Sequence, residues 1–365
     1  MKVAIVYDRV NKWGGAERLL LALHQIFPDA PLYTSVYDEK KTSWARVFDI
    51  KTSFLQKLPF AKSNHELYAL LMPLAFESFS FDEYDLVISV TSEAAKGIIT
   101  KPSTLHICYC LTPTRYLWSG YEEYFKNPLL RFISKPAVFY LRMWDKIASQ
   151  RPDKFIAISE EVKRRIKRYY ARDSEVIYPP VSLLPKNYSS RQNEIAVVRS
   201  PSIESFFLIV SRLVPYKRID IAINAFNKLG YPLKIIGEGS EKRKLKKIAN
   251  SNIEFLGYLT DEELVEYYKK CLAFIFPGKE DFGLTILEAQ SFGKPVIAYG
   301  EGGSLETIAE NKTGIFFEPQ EETALIKAVN EFMKRKFNSK NCRKQAQRFS
   351  ISNFKKKLKK ELEIL

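Results

Sequence analysis

Short β-branched apolar runs alternate with longer amphipathic stretches along this chain, and the series is interrupted once, by a polar segment near the middle. Such alternation marks a parallel, doubly wound sheet, because each parallel pairing needs a crossover to carry the chain back. In the first half, strands are predicted at 2–7, 32–36, 86–90, 105–109 and 155–158, with a loop holding Gly14-Gly15 and a helix over 16–27. Ser159 is placed as the N-cap of a further helix. The second half repeats the scheme, with strands at 206–210, 233–237, 253–257, 272–277, 295–299 and 314–317. Helices are expected at 219–229, 240–250, 261–270, 284–292, 304–309 and 321–335, and a basic helix begins near 352. The interruption, after Pro179-Pro180, sets a linker at 182–203, an N-terminal domain at 1–181, a C-terminal domain at 204–348 and a closing helix at 349–365. A chain of 365 residues is long for one core and comfortable for two.

Apolar content of 46% argues against disorder. The opening residues are too short and too soon polar for a signal peptide, and no run reaches the roughly 20 apolar residues that span a bilayer. The cysteines, Cys108, Cys110, Cys271 and Cys342, are too few for a disulfide scaffold, and Cys108 and Cys110 sit in an apolar strand as buried thiols. A reduced, cytoplasmic protein is expected. Net charge is +15, with twelve Lys or Arg and no acid between Lys334 and Lys360, and further clusters at 163–168 and 242–247. Such a surface attracts anionic membrane, nucleic acid or phosphorylated ligands; no helix-turn-helix, zinc-finger or RNA-binding signature supports nucleic acid.

The segment Glu280-Asp281-Phe282-Gly283-Leu284-Thr285-Ile286-Leu287-Glu288 follows a buried strand and enters a helix. Glu280 falls on the loop at the strand's carboxyl end, and Glu288 about one turn into the helix. Open α/β sheets bind ligands at that loop, and the free N–H groups of the helix favour an anion. The segment suits a sugar hydroxyl on Glu280, a phosphate on the amides and a ribose diol on Glu288. Upstream, Ser211-Arg212-Leu213 and Lys217 occupy the loop after another strand. A rigid guanidinium fork and an ammonium point charge suit the oxygens of a diphosphate. Gly14-Gly15 lets backbone approach a phosphate at a helix start.

Taken in order, Ser211-Arg212-Leu213 with Lys217, the Glu280 to Glu288 segment, Gly293-Lys294-Pro295, Gly302-Gly303-Ser304, Ile177-Tyr178-Pro179-Pro180 and Gly14-Gly15-Ala16-Glu17 resemble the retaining GT-B glycosyltransferases of family 4. The N-terminal half, through Cys108-Tyr109-Cys110-Leu111-Thr112-Pro113-Thr114-Arg115, is most similar to bacterial mannosyltransferases of lipid-linked polysaccharide assembly. The resemblance implies two Rossmann-like domains facing a cleft, with the last helix returning to the first domain through Phe349, Phe354 and Leu358.

It also implies retaining transfer of a hexose, mannose from GDP-mannose favoured over a UDP-sugar, to a saccharide acceptor. The acceptor expected is polyprenyl-diphosphate-linked, with peripheral contact at the anionic inner face of the cytoplasmic membrane. Arg212, Lys217 and Glu280 are the expected catalytic residues. Donor binding is assigned to Gly14, Gly15, Ser211, Gly237, Gly257, Tyr258, Asp281, Phe282, Gly283, Leu284, Thr285 and Glu288. No metal or other cofactor is expected, because no Asp-x-Asp motif accompanies the site. Leu111 departs from the histidine that relatives often carry, which shifts acceptor contact to Thr112, Thr114 or Arg115. His106 reads as a packed core histidine. Other classes consistent with the residues are a catalytically silent glycosyltransferase-like binding subunit, a GT-B nucleotide-sugar epimerase and a nucleic-acid-binding protein. The apolar segment 67–76 reads either as a membrane contact or as a packed helix broken at Pro73.

Overall fold

The computed structural model describes residues 1–181 and 205–362, so the linker expected at 182–203 lies outside the described residues. The chain divides into two compact units: Met1–Pro179 with Lys357–Leu365, and Pro180–Lys356. The first unit holds β1 (Val3–Tyr7), β2 (Leu32–Thr34), β3 (Ile50–Thr52), β4 (Leu86–Thr91), β5 (Leu105–Cys110), β6 (Lys154–Ala157) and β7 (Glu175–Val176). They form one sheet in the order β3-β2-β1-β4-β5-β6-β7, every pair parallel. The second unit holds β8 (Phe207–Val210), β9 (Leu233–Ile236), β10 (Ile253–Gly257), β11 (Phe274–Phe276), β12 (Val296–Tyr299) and β13 (Gly314–Phe317). Their order is β10-β9-β8-β11-β12-β13, again all parallel.

Each sheet is covered on both faces, which explains why its strands read as continuous apolar runs. Phe207 and Ile209 of β8 pack with Phe226 and Phe332 from the helices Ile219–Leu229 and Glu322–Lys334. Leu208, between them, points to the other side, with Tyr268, Ile286 and Phe292. In the first sheet β4 is buried along all six residues.

Several local expectations change. β3 and β7 are edge strands of three and two residues that the apolar pattern did not mark. Pro73 does not break a helix: residues His65–Leu71 form a 3-10 segment, and Pro73 sits in the first turn of the helix Met72–Glu77, where a missing N–H costs no bond. A helix at Ser339–Gln347 precedes the final one, Ile351–Glu361. Phe349, in the second unit, packs edge-on against Phe282, with ring centroids 5.6 Å apart. The last helix does return to the first unit, which takes the chain from Lys357 onward.

His106 is a core residue, fully buried on β5 with its Nε2 2.9 Å from the Ser89 hydroxyl on β4. Burial, reinforced by Arg151 and Arg172, pushes its pKa down to about 3, against an ordinary value of about 6.5. A histidine depressed in the folded state costs stability as pH falls below its unfolded pKa, until the folded form also protonates near 3. Between pH 7 and pH 5 this single group is expected to remove about 2 kcal/mol. Denaturant unfolding at both pH values should show a smaller difference for His106→Gln; an equal difference would assign the acid sensitivity elsewhere.

Candidate functional site

Crossovers reverse direction on either side of β8, which lies between β9 and β11. Doubly wound sheets bind ligands beyond the carboxyl ends of the strands at such a switch point. Two loops meet there. The loop after β8 carries Ser211, Arg212 and a single 3-10 turn, Pro215–Lys217, before Arg218 in the left-handed region leads into the helix Ile219–Leu229. The loop after β11 carries Glu280 and ends at Gly283, whose φ of 92° favours glycine, before the helix Leu284–Ser291.

The structure joins the two loops by charge. Lys217, 8% exposed, donates from Nζ to Glu280 Oε1. The loops approach this closely because Gly278 has no side chain: a Cβ there would lie 2.8 Å from the Lys217 carbonyl oxygen. Glu280 is fixed from behind by its own backbone, whose carbonyl accepts from the Gly303 N–H at 2.9 Å. A Cβ at Gly302 would stand 2.5 Å from that same carbonyl, and one at Gly303 would run into the Phe282 backbone. The Gly302-Gly303 pair is therefore a shelf under the carboxylate.

Arg212 is exposed and donates from Nη2 to the Tyr216 hydroxyl. Its guanidinium lies 5.9 Å from the Tyr216 ring centroid and Lys217 Nζ 5.2 Å from the same ring. Tyr216 thus sets both cations around one aromatic face. Its position, an aromatic four residues after Arg212 and next to Lys217, is the one signal for it in the chain.

Glu288 is held differently. It is 4% exposed, and Tyr268 donates to its Oε2 at 2.9 Å. Tyr268 in turn lies parallel to Phe292, with ring centroids 5.6 Å apart. The remaining C-terminal residues line the neighbouring strand ends. Gly237, at φ 135°, lies directly on the Ser211 carbonyl and donates its N–H to the Gly257 carbonyl at 2.7 Å. Tyr258 is exposed beside it. Phe282 is buried, while Asp281, Leu284 and Thr285 are half-buried.

The first sheet has its own switch point, at β1 between β2 and β4. Gly14 is the extended N-cap of the helix Gly15–His24, so the two glycines stand where the loop after β1 enters that helix. Asp8, at the end of β1, accepts from Thr91 Oγ1 at 2.7 Å and from the N–H groups of Ser92 and Ala95 at 2.7 and 2.9 Å, which ties that loop to the end of β4.

Thr114 differs from expectation. Its hydroxyl is buried and donates to Asp145 Oδ1 at 3.1 Å, so it serves the interior. Asp145 also accepts from Trp118 Nε1 at 2.7 Å and Tyr170 OH at 2.8 Å, and pairs with Lys96 at 2.5 Å, both ions being buried. Thr112 is buried too, and accepts from Arg165 at 3.3 Å. Arg115 is half-buried.

Two parallel-sheet units of this construction define a GT-B fold. The crystal structure of Anabaena HepE in complex with UDP superposes with a TM-score of 0.70 over 100% of both chains at 20% identity. The family model for glycosyl transferases group 1 matches residues 190–349. Among curated relatives, an uncharacterized glycosyltransferase of Methanocaldococcus jannaschii is 26% identical over 57% of this chain and 59% of its own length. The O-antigen chain mannosyltransferase C of Escherichia coli is 28% identical over 53% of this chain and 52% of its own. The chain thus spans little more than half the length of these curated relatives.

Proposed function

We propose that the protein is a retaining hexosyltransferase that moves a sugar, mannose from GDP-mannose favoured, from a nucleotide diphosphate to a saccharide acceptor. The observation that carries this reading is the meeting of Arg212, Lys217 and Glu280 at the switch point of the second sheet, beside the amino end of the helix Leu284–Ser291. Cations at that position stabilise the charge that develops on the terminal phosphate as the anomeric carbon–oxygen bond breaks. The acceptor oxygen attacks the same face that the diphosphate leaves, and its proton passes to the departing phosphate oxygen. Glu280 orients the transferring sugar, and Glu288 holds the ribose diol.

Ser211, Gly237, Gly257, Tyr258, Asp281, Phe282, Gly283, Leu284 and Thr285 surround the donor in this reading, and Gly14 and Gly15 contribute backbone N–H groups. Mannose is supported by the name of the Escherichia coli relative. That name also supports a polysaccharide chain as acceptor, for which we take a polyprenyl diphosphate as carrier and the inner membrane face as the place of work. On the acceptor side we take Arg115, whose guanidinium suits an acceptor phosphate, while Thr112 and Thr114 hydrogen-bond within the first unit.

The test is nucleotide release from a panel of GDP- and UDP-sugars with an oligosaccharide acceptor. GDP-mannose is expected to give the highest rate, unchanged by EDTA, because Arg212 and Lys217 take the place of a divalent ion. Release from no sugar in a folded protein would end the reading, and loss of activity in EDTA would end its metal-independent form.

A further inference from the structure

The helix Pro128–Ala148 begins sharply, with Pro128 in its first turn and the Asn127 side chain accepting from the Leu129 N–H at 2.9 Å. At about 100° per residue its side chains sort into three sectors. Val138, Leu141, Asp145 and Ala148 face the unit's interior and are buried. The opposite sector is apolar yet open to solvent: Phe132 is 69%, Ile133 65%, Phe139 66%, Met143 52% and Ile147 60% exposed. Between them runs a cationic flank of Arg131, Lys135, Arg142 and Lys146, and the only acid of the helix is the buried Asp145.

Isolated exposed apolar side chains are ordinary, but a contiguous outward stripe of this kind marks an interaction surface. Charge decides the occupant. Elsewhere the basic clusters are partly neutralised on the spot: Lys242 pairs with Glu238 at 2.5 Å, Lys244 with Glu241 at 3.2 Å, and Arg164 and Arg165 with Glu161 at 2.7 and 2.9 Å. On this helix the cations border apolar surface with no exposed carboxylate between them. An apolar face flanked by Lys and Arg fits a bilayer interface, with rings among the acyl chains and cations at anionic headgroups. No helix among the described residues is long and apolar enough to cross a membrane, so this one would lie on the surface.

The segment 65–77 lies beside the helix. Trp144 donates from Nε1 to Glu77 at 2.7 Å, and Ala69 packs with Val138 and Leu141, which hold that segment beside the helix. It exposes Leu67 and Leu74.

We propose that the outward face of the helix Pro128–Ala148 is the bilayer-docking surface of the protein. The proposal rests on the membrane-side acceptor proposed above and locates its contact in the first unit, on an apolar face rather than on the basic stretch 334–360. Vesicles of phosphatidylethanolamine and phosphatidylglycerol, or of phosphatidylcholine alone, supply the test by co-sedimentation. The unaltered protein is expected to bind the anionic vesicles, and to retain part of that binding at high salt because the apolar part is not screened.

Phe132→Asp with Phe139→Asp is expected to weaken partition at least about tenfold, with thermal midpoint and nucleotide release from a soluble donor unchanged. Lys135→Glu with Lys146→Glu is expected to weaken binding to anionic vesicles alone. Equal partition of the Phe132/Phe139 variant and the unaltered protein would overturn the proposal. So would a protein that ignores both vesicles and runs as a dimer that the same variant dissociates, which would make the face an interface between copies. Nucleotide release is read separately, so loss of transfer and loss of docking are distinguishable.

Discussion

Arg212→Ala is expected to lower turnover by about 10²–10³, the scale of removing one preorganised donor from a developing oxyanion. Arg212 is exposed on its loop and takes no part in the sheet's packing, so the variant should keep its thermal midpoint. Its guanidinium is also steadied by the Tyr216 ring and hydroxyl. Lys217→Ala acts on the same diphosphate, and the double variant is expected to cost less than the product of the singles. Single-turnover release of nucleotide from the preferred donor measures this directly. Near-normal turnover of a folded Arg212→Ala protein would remove the electrostatic assignment.

The two glutamates are expected to fail in different ways. Glu280 is ion-paired to Lys217 and seated on Gly302-Gly303, so Glu280→Gln loosens both the sugar and the lysine and should chiefly lower kcat. Glu288→Gln leaves an oxygen to accept from Tyr268, so the helix should hold its place. What it loses is a charged hydrogen bond to a diol present in ground and transition states alike, worth about 1.5–3 kcal/mol, which appears as a donor KM raised roughly tenfold or more. If both variants bound and turned over donor like the unaltered protein, the two carboxylates would have no part in donor recognition.

The second unit was legible in the sequence nearly strand by strand, because Gly and Pro punctuate short apolar runs there: the expected 219–229, 253–257, 261–270 and 314–317 coincide with observed elements. The helix Ser339–Gln347 escaped notice because its buried side is made of Ser339, Cys342, Gln345 and Ala346, which leave almost no hydrophobic period. β3 and β7 are too short to show alternation. In the site, Lys217 and Glu280 each stand out in a motif and the fold pairs them, while partners supplied across the fold have no such mark. Nothing near Thr114 in the chain announces Asp145, and nothing near Glu288 announces Tyr268. The outward face of the helix Pro128–Ala148 is a similar case, since an apolar residue in a list does not say which side of a helix the interior takes.

The first unit is discontinuous, built from Met1–Pro179 and the segment from Lys357 onward. During synthesis its sheet must therefore wait for its final piece while roughly 180 further residues are added, on the order of 10–40 s at typical elongation rates of about 5–20 residues per second. Leu358, fully buried when that piece arrives, replaces whatever covered its site in the interval. A nascent chain is thus exposed to proteases and to premature association longest in the half made first, and truncation of the last turn of helix should show most strongly as a loss of yield.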